Sequence, residues 1–237
     1  MAAQHAILFI SGAGLPAWIW DDVRQCLGDG QPLAVAARPA GRSPAGLRDF
    51  ADAALGSAPT GRFAIVAHSI GGVIGAEIAG LVPERVTAFL GVSAVVPRPG
   101  ASFLSAMPIP NRWVLSAVMR VAGNRPPDKA IRRGLADRLD EQTTERLLAD
   151  FTTEPTGLYR SRTPGQSWAG RRGYLFTDRD REVPVAVQRR SARQLGAQWV
   201  GNLDTGHLPM LEDPRALAGS ITGFLATAPT TRREAGR

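Results

Sequence analysis

Short apolar runs alternate along the chain with longer stretches in which apolar positions recur every three or four residues. The runs at 6–10, 32–36, 63–67, 88–93, 173–176 and 198–203 predict strands, and the stretches at 18–27, 46–55, 71–81, 187–195 and 214–227 predict helices. Strand, helix, strand in succession is the βαβ pattern, which implies an α/β fold with a mainly parallel sheet and helices on both faces. The run Phe63-Ala64-Ile65-Val66-Ala67 is apolar on both sides of its pleat, as a central strand covered above and below must be.

One interval breaks the alternation. Between the strand ending near 96 and that beginning near 173 the pattern is helical only, at 102–107, 113–121, 128–139 and 143–151, with Asp128 and Thr143 as expected N-caps. The chain is therefore expected to divide into a core, 1–97 and 171–228, and a helical lid inserted at 98–170, with a disordered tail at 229–237. An insertion at that point lies above the C-terminal ends of the strands, where open parallel sheets bind ligands.

Composition narrows the picture. A chain of 237 residues can bury roughly three quarters of its unfolded surface as one domain, so it needs neither disulfides nor a metal to hold a core. Cys26 is the only cysteine, which excludes a disulfide framework and a multi-cysteine zinc site. The hydrophobic fraction of 44% against 21% charged excludes intrinsic disorder. There is no basic leader before the first apolar run and no stretch of 18 apolar residues, so a soluble, cytoplasmic protein is expected. The net charge of +7 comes from arginines scattered among acidic and apolar residues, with Lys129 the one lysine. No basic stripe interleaves with aromatics, so the expected partner is a small molecule, not nucleic acid or a membrane.

The chemistry concentrates at Ala67-His68-Ser69-Ile70-Gly71-Gly72, between a predicted strand and a predicted helix. A serine on a sharp strand-to-helix turn needs small residues two before and two after it, because the backbone folds back tightly there. Ala67 and Gly71 fill those places. Such a turn exposes the Ser69 hydroxyl and leaves the N–H of Ile70 at a helix N-terminus, aimed at the same point.

A serine hydroxyl is a weak nucleophile that needs a base, and the base needs an acid to orient it. Of the three histidines, His5 precedes the first strand and His68 adjoins Ser69, so its ring is expected to project away from the hydroxyl. His207 follows the last strand, in Leu203-Asp204-Thr205-Gly206-His207-Leu208-Pro209, where a loop can reach over the sheet edge. The acid is sought in Thr177-Asp178-Arg179-Asp180-Arg181-Glu182-Val183-Pro184, with Asp180 preferred and Asp178 and Asp204 as alternatives.

The order Ser69, Asp180, His207 resembles that of the alpha/beta-hydrolase superfamily, and the resemblance covers nearly all of the chain. The loop Ser11-Gly12-Ala13-Gly14-Leu15-Pro16-Ala17-Trp18-Ile19-Trp20 is similar to the His-Gly-x loop of its plant methylesterase and hydroxynitrile-lyase branch and bacterial serine-esterase relatives. That resemblance implies an alpha/beta-hydrolase fold, the N–H of Ala13 as a second oxyanion donor beside Ile70, and no cofactor. Gly12, Trp18, Phe103, Met107, Trp113 and Leu208 are the expected substrate contacts, with Trp20 and Met119 as further apolar side chains near the pocket. The Gly12-Ala13-Gly14 string lacks the third glycine and ribose-binding acid of a dinucleotide site, and no cluster has metal-ligand spacing, so no metal is expected.

The departures matter. Ser11 stands where that branch has His, which changes the bracing of the oxyanion loop, and the cyanohydrin lyases' Thr and Lys are replaced by Gly12 and Leu208. Without the basic group that would stabilise departing cyanide, the resemblance implies hydrolysis of a carboxylic ester, thioester or lactone of a small, largely apolar molecule. The same scaffold also serves biosynthetic cyclisation or carbon–carbon cleavage, and non-catalytic small-molecule receptors.

Overall fold

The structure is a computed structural model that describes residues 5–40, 45–108, 125–164 and 168–226. Six strands form one parallel sheet: β1 (Ile7–Ile10), β2 (Leu33–Val35), β3 (Phe63–His68), β4 (Val86–Val92), β5 (Arg171–Thr177) and β6 (Trp199–Leu203), in the order β2-β1-β3-β4-β5-β6. Each corresponds to a predicted strand within two residues. All side chains of β1 and β3 are buried, which accounts for their unbroken apolar sequence.

The period of two divides the core into two layers. Leu8, Ile10, Ile65, Ala67 and Phe89 face one cluster, with Phe50 and Ala51 of α2 (Leu47–Ser57), Ile74 and Ile78 of α3 (Gly71–Leu81) and Val187 and Leu195 of α8 (Val185–Leu195). Ile7, Phe9, Ala64, Val66, Leu90 and Val92 face the other, with Val23 of α1 (Asp21–Leu27) and Leu217, Ile221 and Phe224 of α10 (Pro214–Ala226). Because all six strands run parallel, they end at one edge, and the loops after β1, β3, β4, β5 and β6 gather there.

Between β4 and β5 the described residues form only helices: α4 (Phe103–Ala106), α5 (Asp128–Arg133), α6 (Glu141–Asp150) and α7 (Thr156–Arg160). The expected helix at 113–121 and the tail at 229–237 lie outside the described residues. Two caps differ from expectation. Asp128 is the first residue of α5, behind Pro127, and its carboxylate accepts from Arg125 at 2.7 Å instead of capping the helix. The helix then stops at Gly134 and does not continue to 139. In α6 the cap is Asp140, whose carboxylate accepts the Thr143 N–H at 2.8 Å and the Thr143 hydroxyl at 2.9 Å. A carboxylate that satisfies both donors starts the helix two residues before the expected boundary. The short helices α7 and α9 (Pro209–Glu212) were not expected, being too short to establish a period.

Among the described residues no helix is long and apolar enough to cross a membrane. Phe224 is fully buried, with its ring centroid 5.5 Å from that of Trp199. Phe224→Ala removes a large side chain from a close-packed layer and is expected to lower the unfolding free energy by about 3–5 kcal/mol, measured by urea denaturation followed by circular dichroism.

Candidate active site

Ser69 sits between the last residue of β3 and the start of α3 at φ 55°, a left-handed conformation that costs a non-glycine residue about 1 kcal/mol or more. The turn is held from both sides. A β-carbon on Gly71 would lie 2.6 Å from the Ile10 carbonyl oxygen, and one on Gly72 would lie 2.6 Å from that of Val95, so neither position admits a side chain. The Ser69 carbonyl accepts from Val95 N at 2.8 Å and Gly72 N at 3.1 Å, tying the turn to the strand end beside it and to the first turn of α3. Ser69 is partly exposed, while Ala67, His68 and Ile70 around it are buried.

The loop after β1 lies against this turn. A β-carbon on Gly12 would come within 3.0 Å of Ser69 Cβ, His68 Nδ1 and Leu15 Cδ1, which is why the loop after β1 has its glycine there. Neither the Ala13 N–H nor the Ile70 N–H has an acceptor among the described residues. Ser11 meets the change in bracing expected at its position by accepting the indole N–H of Trp20 at 2.9 Å.

The loop after β6 brings His207 to the same edge. Its Nδ1 is 2.8 Å from Asp180 Oδ2, and because a carboxylate only accepts, the pattern places the imidazole proton on Nδ1 and leaves Nε2 as the basic nitrogen. Asp178 accepts from Asn202 at 2.8 Å and Asp204 pairs with Arg179, so Asp180 is the carboxylate that reaches the ring. Asp180 also accepts the Glu182 and Val183 N–H groups, each at 2.8 Å, and the Thr177 hydroxyl at 3.0 Å. The Ser69 hydroxyl and His207 Nε2 share no hydrogen bond, and each is without a partner among the described residues.

Two residues at this site escaped the sequence reading. Ser93, fully buried at φ 44° just past β4, donates a short hydrogen bond to Asp180 Oδ2 and lies 3.5 Å from His207 Nδ1. The absence of a carboxylate at that strand end hid it, since a hydroxyl carries no signal of its own in sequence. His68 does not simply project away. Its ring packs against that of His207 with centroids 4.6 Å apart, and its Nε2–H donates to the His207 carbonyl at 2.8 Å. The residue before Ser69 thus holds the loop that carries His207.

Electrostatics follow from burial and these partners. Burial opposes a charge on His207, but the Asp180 carboxylate and its hydrogen bond, with Glu182 and Glu212, outweigh it and raise the imidazole pKa above its ordinary value. Burial alone would raise Asp180; the His207 charge and hydrogen bond, the Ser93 hydroxyl and the Val183 N–H hold it well below the usual carboxylate range. Burial and the neighbouring His207 push His68 down to about 3, so it is neutral near pH 7.

The expected substrate contacts are unevenly placed. Gly12 packs against the Ser69 turn. Trp18 is turned to the helical insertion: its indole N–H donates to Asp150 at 2.8 Å and the Arg146 guanidinium lies 3.9 Å from its ring centroid. Phe103 stacks edge-on with Tyr159 at 5.8 Å, Met107 packs in the same apolar layer, and Leu208 is wholly buried in the other. Trp113 and Met119 lie outside the described residues, and Trp20 is a core side chain beside Phe9. Among the described residues no group of three His, Cys, Asp or Glu side chains is placed to hold a metal ion.

The Ser93 hydroxyl draws negative charge out of the Asp180 carboxylate, so its loss strengthens that carboxylate's hold on a protonated imidazole. In a titration of the histidine ring resonances by NMR, His207 is expected above its ordinary 6.5 and further up in Ser93→Ala; an unchanged or lowered value in the folded variant would remove the role given to the hydroxyl.

No curated protein matches this sequence. Solved structures do. An extracellular alpha/beta-hydrolase from a Paenibacillus species, described as sharing structural and functional homology with tobacco salicylic acid binding protein 2, superposes at TM-score 0.82 with 16% identity, over 93% of this chain and 98% of its own. Polyneuridine aldehyde esterase matches at TM-score 0.75 and 19% identity, over 93% and 99%, and a thermophilic esterase from Thermogutta terrifontis at 0.70 and 19%, over 96% and 92%. At these identities the likeness establishes the fold. The sequence itself matches a model of the alpha/beta hydrolase family over residues 7–220. With its six parallel strands, its helices on both faces and its serine at the β3–α3 turn, the chain belongs to the alpha/beta hydrolase family.

Proposed function

We propose that the protein is a serine hydrolase that cleaves a carboxylic ester, thioester or lactone of a small, largely apolar molecule. The observation that carries this reading is the Asp180–His207 hydrogen bond of 2.8 Å at the same sheet edge as Ser69 in its left-handed turn. Family membership and the esterases among the structural neighbours support the same reading.

The Ser69 oxygen attacks the acyl carbon while its proton passes to His207 Nε2. Asp180 keeps the other ring nitrogen protonated and stabilises the imidazolium that forms. The carbonyl oxygen becomes an oxyanion between the Ala13 and Ile70 N–H groups, which have no acceptor of their own among the described residues. Collapse expels the alcohol or thiol, which takes the proton back from His207. Water then attacks the acyl-serine with His207 as base, releasing the acid and restoring the hydroxyl. The helical residues inserted between β4 and β5 serve as the lid that shapes the acyl and alcohol pockets, and Gly12 is the core residue set against the Ser69 turn. No metal or cofactor takes part in this scheme.

Ser69→Ala is expected to lower p-nitrophenyl acetate turnover by at least about 10⁴-fold and to abolish labelling by a fluorophosphonate, with the label mapped to Ser69 in the parent. An undiminished rate in that variant overturns the assignment. Because the imidazole must be neutral to act as base, kcat/KM is expected to rise with pH through a midpoint above 6.5, the direction in which Asp180 moves His207.

A further inference from the structure

Beside the loop after β1, Arg38 follows β2 and pairs with Glu154 of the helical insertion. The Glu154 side chain is only 4% exposed, and that of Arg38 30%. The guanidinium does more than neutralise the carboxylate. Its Nη2 donates to the Gly12 carbonyl and to the Leu15 carbonyl, both at 2.9 Å. Glu154 Oε1 accepts the Gly14 N–H at 3.1 Å, and Thr152 N donates to the Gly14 carbonyl at 3.0 Å. Successive peptide groups of the loop are thus held by one ion pair, half from the core and half from the insertion.

The planarity of the peptide bond turns this into a statement about catalysis. In a trans peptide the C=O of one residue and the N–H of the next point in opposite directions. Fixing the Gly12 carbonyl toward Arg38 therefore fixes the Ala13 N–H to point away from the guanidinium, in a loop whose Gly12 packs against the Ser69 turn. Without the guanidinium, the bond that remains to this peptide among the described residues is the longer one from Leu15 N, at 3.3 Å. A flip of that single peptide would replace an oxyanion donor by a carbonyl oxygen that repels the developing charge.

We propose that the Arg38–Glu154 pair is a positioning element that aims the Ala13 N–H, and that through Glu154 the insertion sets the competence of the oxyanion hole. This rests on the serine-hydrolase reading for its catalytic consequence, but not for its geometry. Arg38 is suited to the task because its planar fork serves a carboxylate and two carbonyls at once, which an ammonium on a flexible stem does not. Burial lowers the guanidinium pKa to about 10, which still leaves it charged at neutral pH.

The test compares Arg38→Lys, Glu154→Gln and the double variant Arg38→Met/Glu154→Met with the parent. The double variant removes both charges together, so no buried charge is left unpaired to unfold the chain. Two readouts are taken on folded protein: p-nitrophenyl acetate kinetics across pH, and amide hydrogen exchange of the peptide spanning 12–15. Expected is a fall in kcat of about 10- to 100-fold in Arg38→Lys and in the double variant, and a smaller fall in Glu154→Gln, which keeps the acceptor for Gly14. KM should stay within about threefold and the acid limb of the pH profile should not move, since His207 is untouched; exchange at 12–15 should rise at least tenfold. A double variant with parental kcat, or unchanged exchange at 12–15, overturns the proposal, as does a shifted acid limb, which would place the effect on His207. If the parent neither turns over esters nor labels at Ser69, the hydrolase reading fails by itself, and the exchange measurement still decides whether the pair holds the loop.

Discussion

Everything at the candidate site depends on one turn, the reversal from β3 into α3 with Ser69 in a left-handed conformation. A serine adopts that conformation only where its surroundings over-determine it. Here they do: the Ser69 carbonyl accepts from two backbone N–H groups, and Gly71 and Gly72 lie against the carbonyls of Ile10 and Val95 at distances that admit no side chain. The two carbonyls belong to the strand ends on either side of β3. The Ser69 turn is thus wedged between its neighbours in the sheet, and the buried, unbroken apolar strands are what keep the wedge rigid.

Charge at the site is organised by the same economy of donors. Asp180 is buried, yet two backbone N–H groups, two hydroxyls and an imidazole N–H surround its oxygens. A carboxylate so provided for stays ionised away from water, and its field raises the His207 pKa against the opposing effect of burial. His68 is the counterpart: buried with one backbone carbonyl as its partner, it stays neutral and works as a hydrogen-bond donor.

Both loops that face Ser69 are stitched to the helical insertion in a similar way. Glu154 accepts the N–H of Gly14 and pairs with Arg38, while Glu212 accepts the N–H of Gly206 at 2.8 Å and pairs with Arg138 of the insertion at 2.8 Å. In each case a mostly buried carboxylate joins a backbone amide next to a proposed functional group to an arginine across the core–insertion boundary. Trp18, held by Asp150 and Arg146, adds a third link. The arginine-rich composition serves these links in part: Arg38 and Arg138 each pair with a carboxylate, and Arg146 lies over the Trp18 ring.

The strands, the major helices of the core and the serine turn were legible because each leaves a local mark: period two with both faces apolar, period 3.6, and small residues flanking Ser69. Asp180 was preferred over Asp178 and Asp204 on loop position, and the hydrogen bond to His207 distinguishes them, since Asp178 and Asp204 have found Asn202 and Arg179. The caps at Asp140 and Pro127, the short helices α7 and α9, and the packing of Trp18 left no such mark, because short elements carry no period and a cap is chosen by competition among neighbouring donors. Ser93, His68, Arg38 and Glu154 were invisible for a different reason: their partners lie 87, 139 and 116 positions away respectively, the last distance being that between Arg38 and Glu154. By itself the sequence determined the α/β class and which serine and histidine to examine, since patterning and turn chemistry act between near neighbours. Which side chains hold those groups in place was decided only by tertiary structure, because the parallel crossovers bring distant loops to one sheet edge, and hydrogen bonds form between whatever meets there.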